Sequence, residues 1–184
     1  HRLWSQSPRE RATLEQAKRA VCRALTRRVR ARARPRADGF NPGSTLGLAP
    51  AGYSRDAARV VVTTTLAAAT GGVTVCLLEK ILGSKTWDVG AVCNGILGGL
   101  VSITAGCSVT YPWAAFIIGC LGGFVYYGAS KCVLKVCKVD DPLDAFAVHG
   151  ACGMWGVAAV GFFATDAYSA SIYHGAFYGG GGNL

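Results

Sequence analysis

The sequence predicts an all-α bundle of membrane-spanning helices, and three observations carry that prediction. First, three stretches hold no fixed charge: Val60 to Leu78 (19 residues), Val89 to Ser130 (42 residues) and Ala145 to Thr165 (21 residues). A helix crosses the hydrocarbon of a bilayer with roughly 20 such residues. Second, these stretches show almost no polar face, which helices of a water-soluble core would need. Third, the charge is segregated: residues 1–38 hold twelve Lys/Arg against Glu10, Glu15 and Asp38, while residues 39–184 hold seven of each sign. The whole formal charge of +9 therefore lies in the first 38 residues, and the chain divides into a basic segment, 1–38, and a membrane domain, 39–184.

The first span is predicted at 60–79, between Arg59 and Lys80. The 42-residue run is too long for one crossing and divides at Tyr111-Pro112-Trp113, because proline breaks a helix and aromatic rings favour the membrane interface. It gives spans at 90–110 and 113–131. The fourth span is predicted at 143–164, opened by Asp140, Asp141 and Asp144 around Pro142. Aspartates cap free N–H groups there, and proline needs no donor in a first turn. Lys80 and Lys85 follow the first span and Lys131, Lys135 and Lys138 the third, so the positive-inside rule places those loops in the cytoplasm. Arg55 and Arg59, beside Asp56, then form a mild exception on the outer side.

Glycines recur three or four residues apart within the spans: Gly95, Gly98 and Gly99, then Gly119, Gly122 and Gly123, then Gly150, Gly153 and Gly156. Such spacing lets membrane helices approach closely, which accounts for most of them. The last set surrounds His149, where small side chains also leave room for a narrow lumen. His149 lies seven residues past Pro142, roughly 10 Å along a helix, and 100° steps put Ala145, Cys152, Gly153 and Gly156 on its face. Asp144 falls on another face and suits a helix cap or the inner mouth. A buried histidine in a span is costly and marks either a functional site or a satisfied structural contact, and the residues alone leave both open.

The segment FNPGS (Phe40 to Ser44), the run LLEKILGSKTWDVGAVCNGILGGLVSITAGCSVTYPWAAFIIG and the segment DDPLDAFAVHGACG together resemble the ammonium transporter (Amt/Mep/Rh) family, in its plant and green-algal form. The resemblance covers residues 39–184 and implies a partial ammonium transporter fold. Members are eleven-span homotrimers with one pore per subunit, so this chain would hold the end of span six and spans seven to ten. His149 matches the second of the family's two pore histidines, Phe40 one of two stacked gate phenylalanines, and Ser44 the serine of the outer recruitment site. Asp144 matches the aspartate at the inner mouth, with Asp141 beside it as a capping or conformational element. The resemblance implies that ammonium is recruited by aromatic faces and a hydroxyl, loses its proton near the gate, and crosses as ammonia past the histidines.

The sequence also departs from that pattern. No second pore histidine matches, and Ala37 and Asp38 stand where the family carries a Trp and a second aromatic. These 184 residues are therefore expected not to enclose a complete pore or conduct alone. The abrupt change at Gly39 suggests that residues 1–38 come from a wrong reading frame or retained intron, with a genuine basic tail as the alternative. Trp4 is the one aromatic residue there, which argues against a base-stacking nucleic-acid surface. The eight cysteines contain no C-x-x-C pair and support neither a zinc site nor a disulfide framework. No nucleophile–base set points to an enzyme, and no cofactor is implied. The expected partners are ammonium or ammonia as substrate, the lipid bilayer of the plasma membrane and, in the complete protein, two further copies. The alternative function is a non-conducting regulatory or sensor-like relative, or an inactive fragment.

Overall fold

A computed structural model describes residues 41–43, 51–83, 87–168 and 174–180, with backbone alone for 51–54. The basic segment 1–38, Phe40 and Ser44 lie outside the described residues, which all fall in one unit, Asp38–Leu184. Besides a short α-helical piece at residues 41–43, the described residues hold no strand and form α1 (Ala51–Leu82), α2 (Val89–Thr104), α3 (Pro112–Cys132) and α4 (Cys152–Phe163). A π-helical turn follows α3 at Val133–Cys137, another leads into α4 at Phe146–Ala151, and a 3-10 turn occupies Ala176–Tyr178. Three helical stretches are long and apolar enough to cross a membrane: Arg55–Leu82, Pro112–Cys137 and Phe146–Phe163.

The first helix starts at Ala51, well before residue 60. The stretch expected as a span at 90–110 is instead a 16-residue helix followed by turns through residues 105–109. At 1.5 Å per residue α2 reaches about 24 Å, short of the ~30 Å hydrocarbon core. Backbone that leaves a helix at such depth must find partners inside the protein. Here it does: Thr63 of α1 donates to the Cys107 carbonyl at 2.8 Å, Arg59 to that of Ser108 at 3.2 Å, and the Thr165 amide to that of Val109 at 2.8 Å.

Arg59 has more to do than its place as a charge exception suggested. Its guanidinium sits 3.7 Å from the Tyr168 ring centroid and pairs with Asp56 at 3.2 Å. Tyr168 in turn stacks edge-on with Tyr111, 4.8 Å between centroids, so the α2–α3 turn, the start of α1 and the chain after α4 meet in one aromatic cluster. Burial among these rings raises the Tyr178 hydroxyl above its ordinary pKa, and that hydroxyl has no hydrogen-bond partner among the described residues.

Helix α3 starts at Pro112, whose missing N–H costs nothing in a first turn, after an extended Tyr111. It packs into α1 and α2 through glycine. A Cβ on Gly71 would lie 2.6 Å from the Gly95 carbonyl oxygen, and one on Gly99 or Gly119 would run into the Ala67 carbonyl. The backbones of α1, α2 and α3 thus touch directly, the approach that small residues permit in membrane helices. Beside this seam lie two apolar clusters, one around Val60, Ile103 and Ile118, the other around Val75, Tyr126, Val148 and Cys152. The second fixes the start of the fourth helical stretch against α2 and α3. Trp155 adds a tie by donating its indole N–H to the Ile118 carbonyl at 3.1 Å.

Candidate functional site

The carboxylate-rich turn that precedes α4 is built differently from the expected first helical turn. Pro142 and Leu143 form a tight turn, closed by the Asp144 amide on the Asp141 carbonyl at 3.1 Å, and helical structure begins only at residue 145. The Asp141 carboxylate accepts the Phe146 amide at 2.9 Å, so Asp141 is the cap. Amide donors from Phe146 first, then Ala145, hold its carboxyl below the ordinary carboxylate range.

Asp144 takes another role. Its φ is +53°, in the left-handed region that few non-glycine residues adopt. One carboxylate oxygen accepts from the Tyr126 hydroxyl at 2.8 Å and the Asn94 amide at 3.3 Å; the other accepts from the Ser130 hydroxyl at 2.8 Å. One side chain thereby joins α2, α3 and the start of the fourth helical stretch. Its backbone carbonyl receives the Val148 amide at 2.9 Å, so the residue that is clamped also accepts the first i→i−4 bond of the stretch bearing His149.

His149 sits in the π-helical turn, four residues from Ala145 rather than seven from a helix start at Pro142. The expected face is corrected in part: Cys152 is fully buried and Gly156 lies against the Ser102 carbonyl, whereas Ala145 is exposed like His149 and Gly153 is half-buried. A turn closed i→i+5 is wider than an α-turn, so 100° steps carried across it misplace Cys152 and Gly156. His149 instead projects opposite the buried Ala147, Val148 and Ala151, on the side of exposed Phe146. Its imidazole has no hydrogen-bond partner among the described residues. Nor do all three glycines ring it: a Cβ on Gly150 would meet the Phe146 ring and Gly156 belongs to the packed side, while a Cβ on Gly153 would meet Val101 at 3.9 Å.

An imidazole in that position can donate from one nitrogen and accept at the other, which suits a small amine or a proton relay. Asp141, Asp144 and His149 lie in one short segment of the sequence, and no hydrogen bond among the described residues joins His149 to either carboxylate. Sequence reasoning missed Asn94, Tyr126 and Ser130, the donors to Asp144, and the Glu79–Lys131 ion pair at 2.9 Å that ties α1 to the end of α3. The available signal was that all are polar or charged residues in or beside apolar runs, where such groups point toward partners. Asn41 is buried and donates its side-chain amide to the Thr64 hydroxyl of α1 at 3.2 Å.

Residues 38–184 match the family model described as the Ammonium Transporter Family. The chain is 44% identical over 161 residues to ammonium transporter 1 member 1 of Solanum lycopersicum, covering 79% of this chain and 33% of that protein. It is 43% identical over 160 residues to putative ammonium transporter 1 member 5 of Arabidopsis thaliana, with 79% and 32% covered. Among solved structures, the Mep2 mutant delta442 from Candida albicans superposes with a TM-score of 0.69 at 29% identity, over 77% of this chain and 35% of that one. A structure titled Sensor Amt Protein superposes with a TM-score of 0.65 at 34% identity, over 72% and 31%. The chain spans about a third of the length of the curated relatives it matches.

Proposed function

This chain belongs to the Ammonium Transporter Family, and from that premise we propose that it supplies one wall of a transmembrane path for ammonium and ammonia, with His149 as a pore-lining residue. The observation that carries the reading is the placement of His149: an imidazole with no partner among the described residues, exposed on a helical stretch whose opposite side is packed. A histidine kept for structure would be expected to bond a neighbour, because an unsatisfied polar group in an apolar setting is costly.

In this reading ammonium is drawn to the Phe40 ring and the Ser44 hydroxyl, since a small cation gains from an aromatic face. Carrying the full charge through an apolar lumen is expensive, so the proton is shed and ammonia passes His149, which bonds it or relays the proton. Asp144 and Asp141 shape the inner mouth. The complete protein acts as a homotrimer in the plasma membrane. The test is a chimera in which residues 39–184 replace the matching segment of the Solanum lycopersicum relative, expressed in cells without ammonium uptake of their own. Uptake of ammonium by the chimera supports transport; a well-expressed, correctly inserted chimera that takes up none counts against it.

A second reading, a non-conducting sensor-like protein, draws support from the likeness to the structure titled Sensor Amt Protein. It predicts that the chimera binds ammonium without moving it.

A further inference from the structure

We propose that Tyr126 and Ser130 are positioning residues that hold the Asp144 carboxylate and thereby set the orientation of the helical stretch carrying His149. Four observations converge on this clamp. Asp144 is held at φ +53°, a conformation that persists in a non-glycine residue where the surroundings over-determine it. Tyr126 and Ser130 stand one turn apart on α3 and reach opposite oxygens of the same carboxylate, each at 2.8 Å. Tyr126 is 3% exposed, so its ring is fixed by packing and its hydroxyl is aimed by that ring. The Asp144 carbonyl then accepts the Val148 amide, which passes the orientation to the residue beside His149.

Hydrogen bonds to a charged acceptor are among the strong ones, and two of them with opposed directions leave the carboxylate little freedom. Asn94 adds a longer third contact from α2. Asp141 caps the following amides from outside the bundle, so it starts the helix without fixing how the helix meets α3. The clamp rests on geometry alone, whereas its effect on transport rests on the function proposed above.

The deciding experiment is amide hydrogen exchange on the whole chain in lipid nanodiscs, comparing wild type with Tyr126→Phe, Ser130→Ala and Ser130→Thr. Loss of a clamp bond should speed exchange of the 145–151 amides by about ten-fold while leaving the α1–α3 seam within about two-fold. Ser130→Thr keeps the hydroxyl and should behave as wild type. Exchange that rises uniformly, or does not rise at 145–151, overturns the clamp. In the chimera, Tyr126→Phe should lower the maximal uptake rate several-fold without moving KM, at equal abundance in the membrane, because a displaced pore group slows passage rather than recruitment. A chimera inactive with the native residues would count against the transport reading, while the exchange data would still decide the clamp.

Discussion

The seam between α1, α2 and α3 and the exposed side of the His149 stretch are built on opposite rules. In the seam, backbone meets backbone, and an added Cβ on Gly99 or Gly119 has nowhere to go. On the His149 side, an imidazole stands free of hydrogen-bond partners among the described residues, next to a phenylalanine that is 53% exposed. The first surface is specified by what is absent from the side chains, the second by what is left available on them. One region is therefore intolerant of change for reasons of packing. The other should tolerate change in stability and reveal it in function.

Substitutions can break that comparison, and the largest effect belongs to the seam. Gly99→Val places a branched side chain against the Ala67 carbonyl, where relief requires the helices to separate. Overpacking of a tight core costs about 1–3 kcal/mol, and backbone as the obstacle puts this site at the upper end. Thermal unfolding in detergent should show a clear loss of stability; an unchanged midpoint would mean that the seam is looser than described.

A smaller effect is expected at the ion pair. Glu79→Gln removes the charge that faces Lys131 across 2.9 Å, with Lys131 39% exposed and thus partly screened by solvent. A cost of about 1 kcal/mol, between the values for surface and buried pairs, should appear in the same measurement. A cost as large as that of Gly99→Val would show that charge, and not close packing, holds α3 to α1.

Asp141 gives a smaller effect still, with a definite pH signature. Its carboxyl titrates lower in the folded chain than in a free peptide, because the Phe146 and Ala145 amides favour the charged form. The stabilisation is therefore present above the unfolded value of about 3.9 and is lost as pH falls through the folded value. Asp141→Asn should be slightly less stable than the native chain near neutrality, and the two unfolding midpoints should converge below about pH 4. A gap that persists in acid would assign the effect to something other than the cap.

The smallest effect on stability is predicted for His149→Ala, within about 0.5 kcal/mol, as for an exposed side chain away from packing. A large loss would place His149 in a structural contact and remove the contrast between the two surfaces.

The order of the helical stretches was legible, because each depends on a local quantity, the presence of a long uncharged run. Pro112 marked where one run had to divide, and α3 begins there. The early end of α2 was not legible: residues 105–110 stay uncharged, and the partners that permit turns there, Arg59 and Thr63, lie more than 40 positions away in sequence. The same applies to Asp144. Its donors are 50, 18 and 14 positions distant, and nothing in DDPLD announces them. Asp141, by contrast, acts on an amide five residues ahead, a range that sequence reading can reach. The side on which His149 points depended on a π-helical turn, a departure from 3.6-residue spacing that no local pattern signalled. Phe40 and Ser44 lie outside the described residues, so their place at the outer end of the path stands on resemblance.

The most direct test of the account measures ammonium uptake by the chimera carrying residues 39–184, with His149 and with His149→Ala, at matched abundance in the membrane and matched thermal stability. The account predicts that the native chimera transports ammonium and that the substitution changes its rate or its discrimination against other cations while leaving the protein as stable as before. Unchanged flux and unchanged selectivity in the His149→Ala chimera would contradict it and return His149 to a structural role.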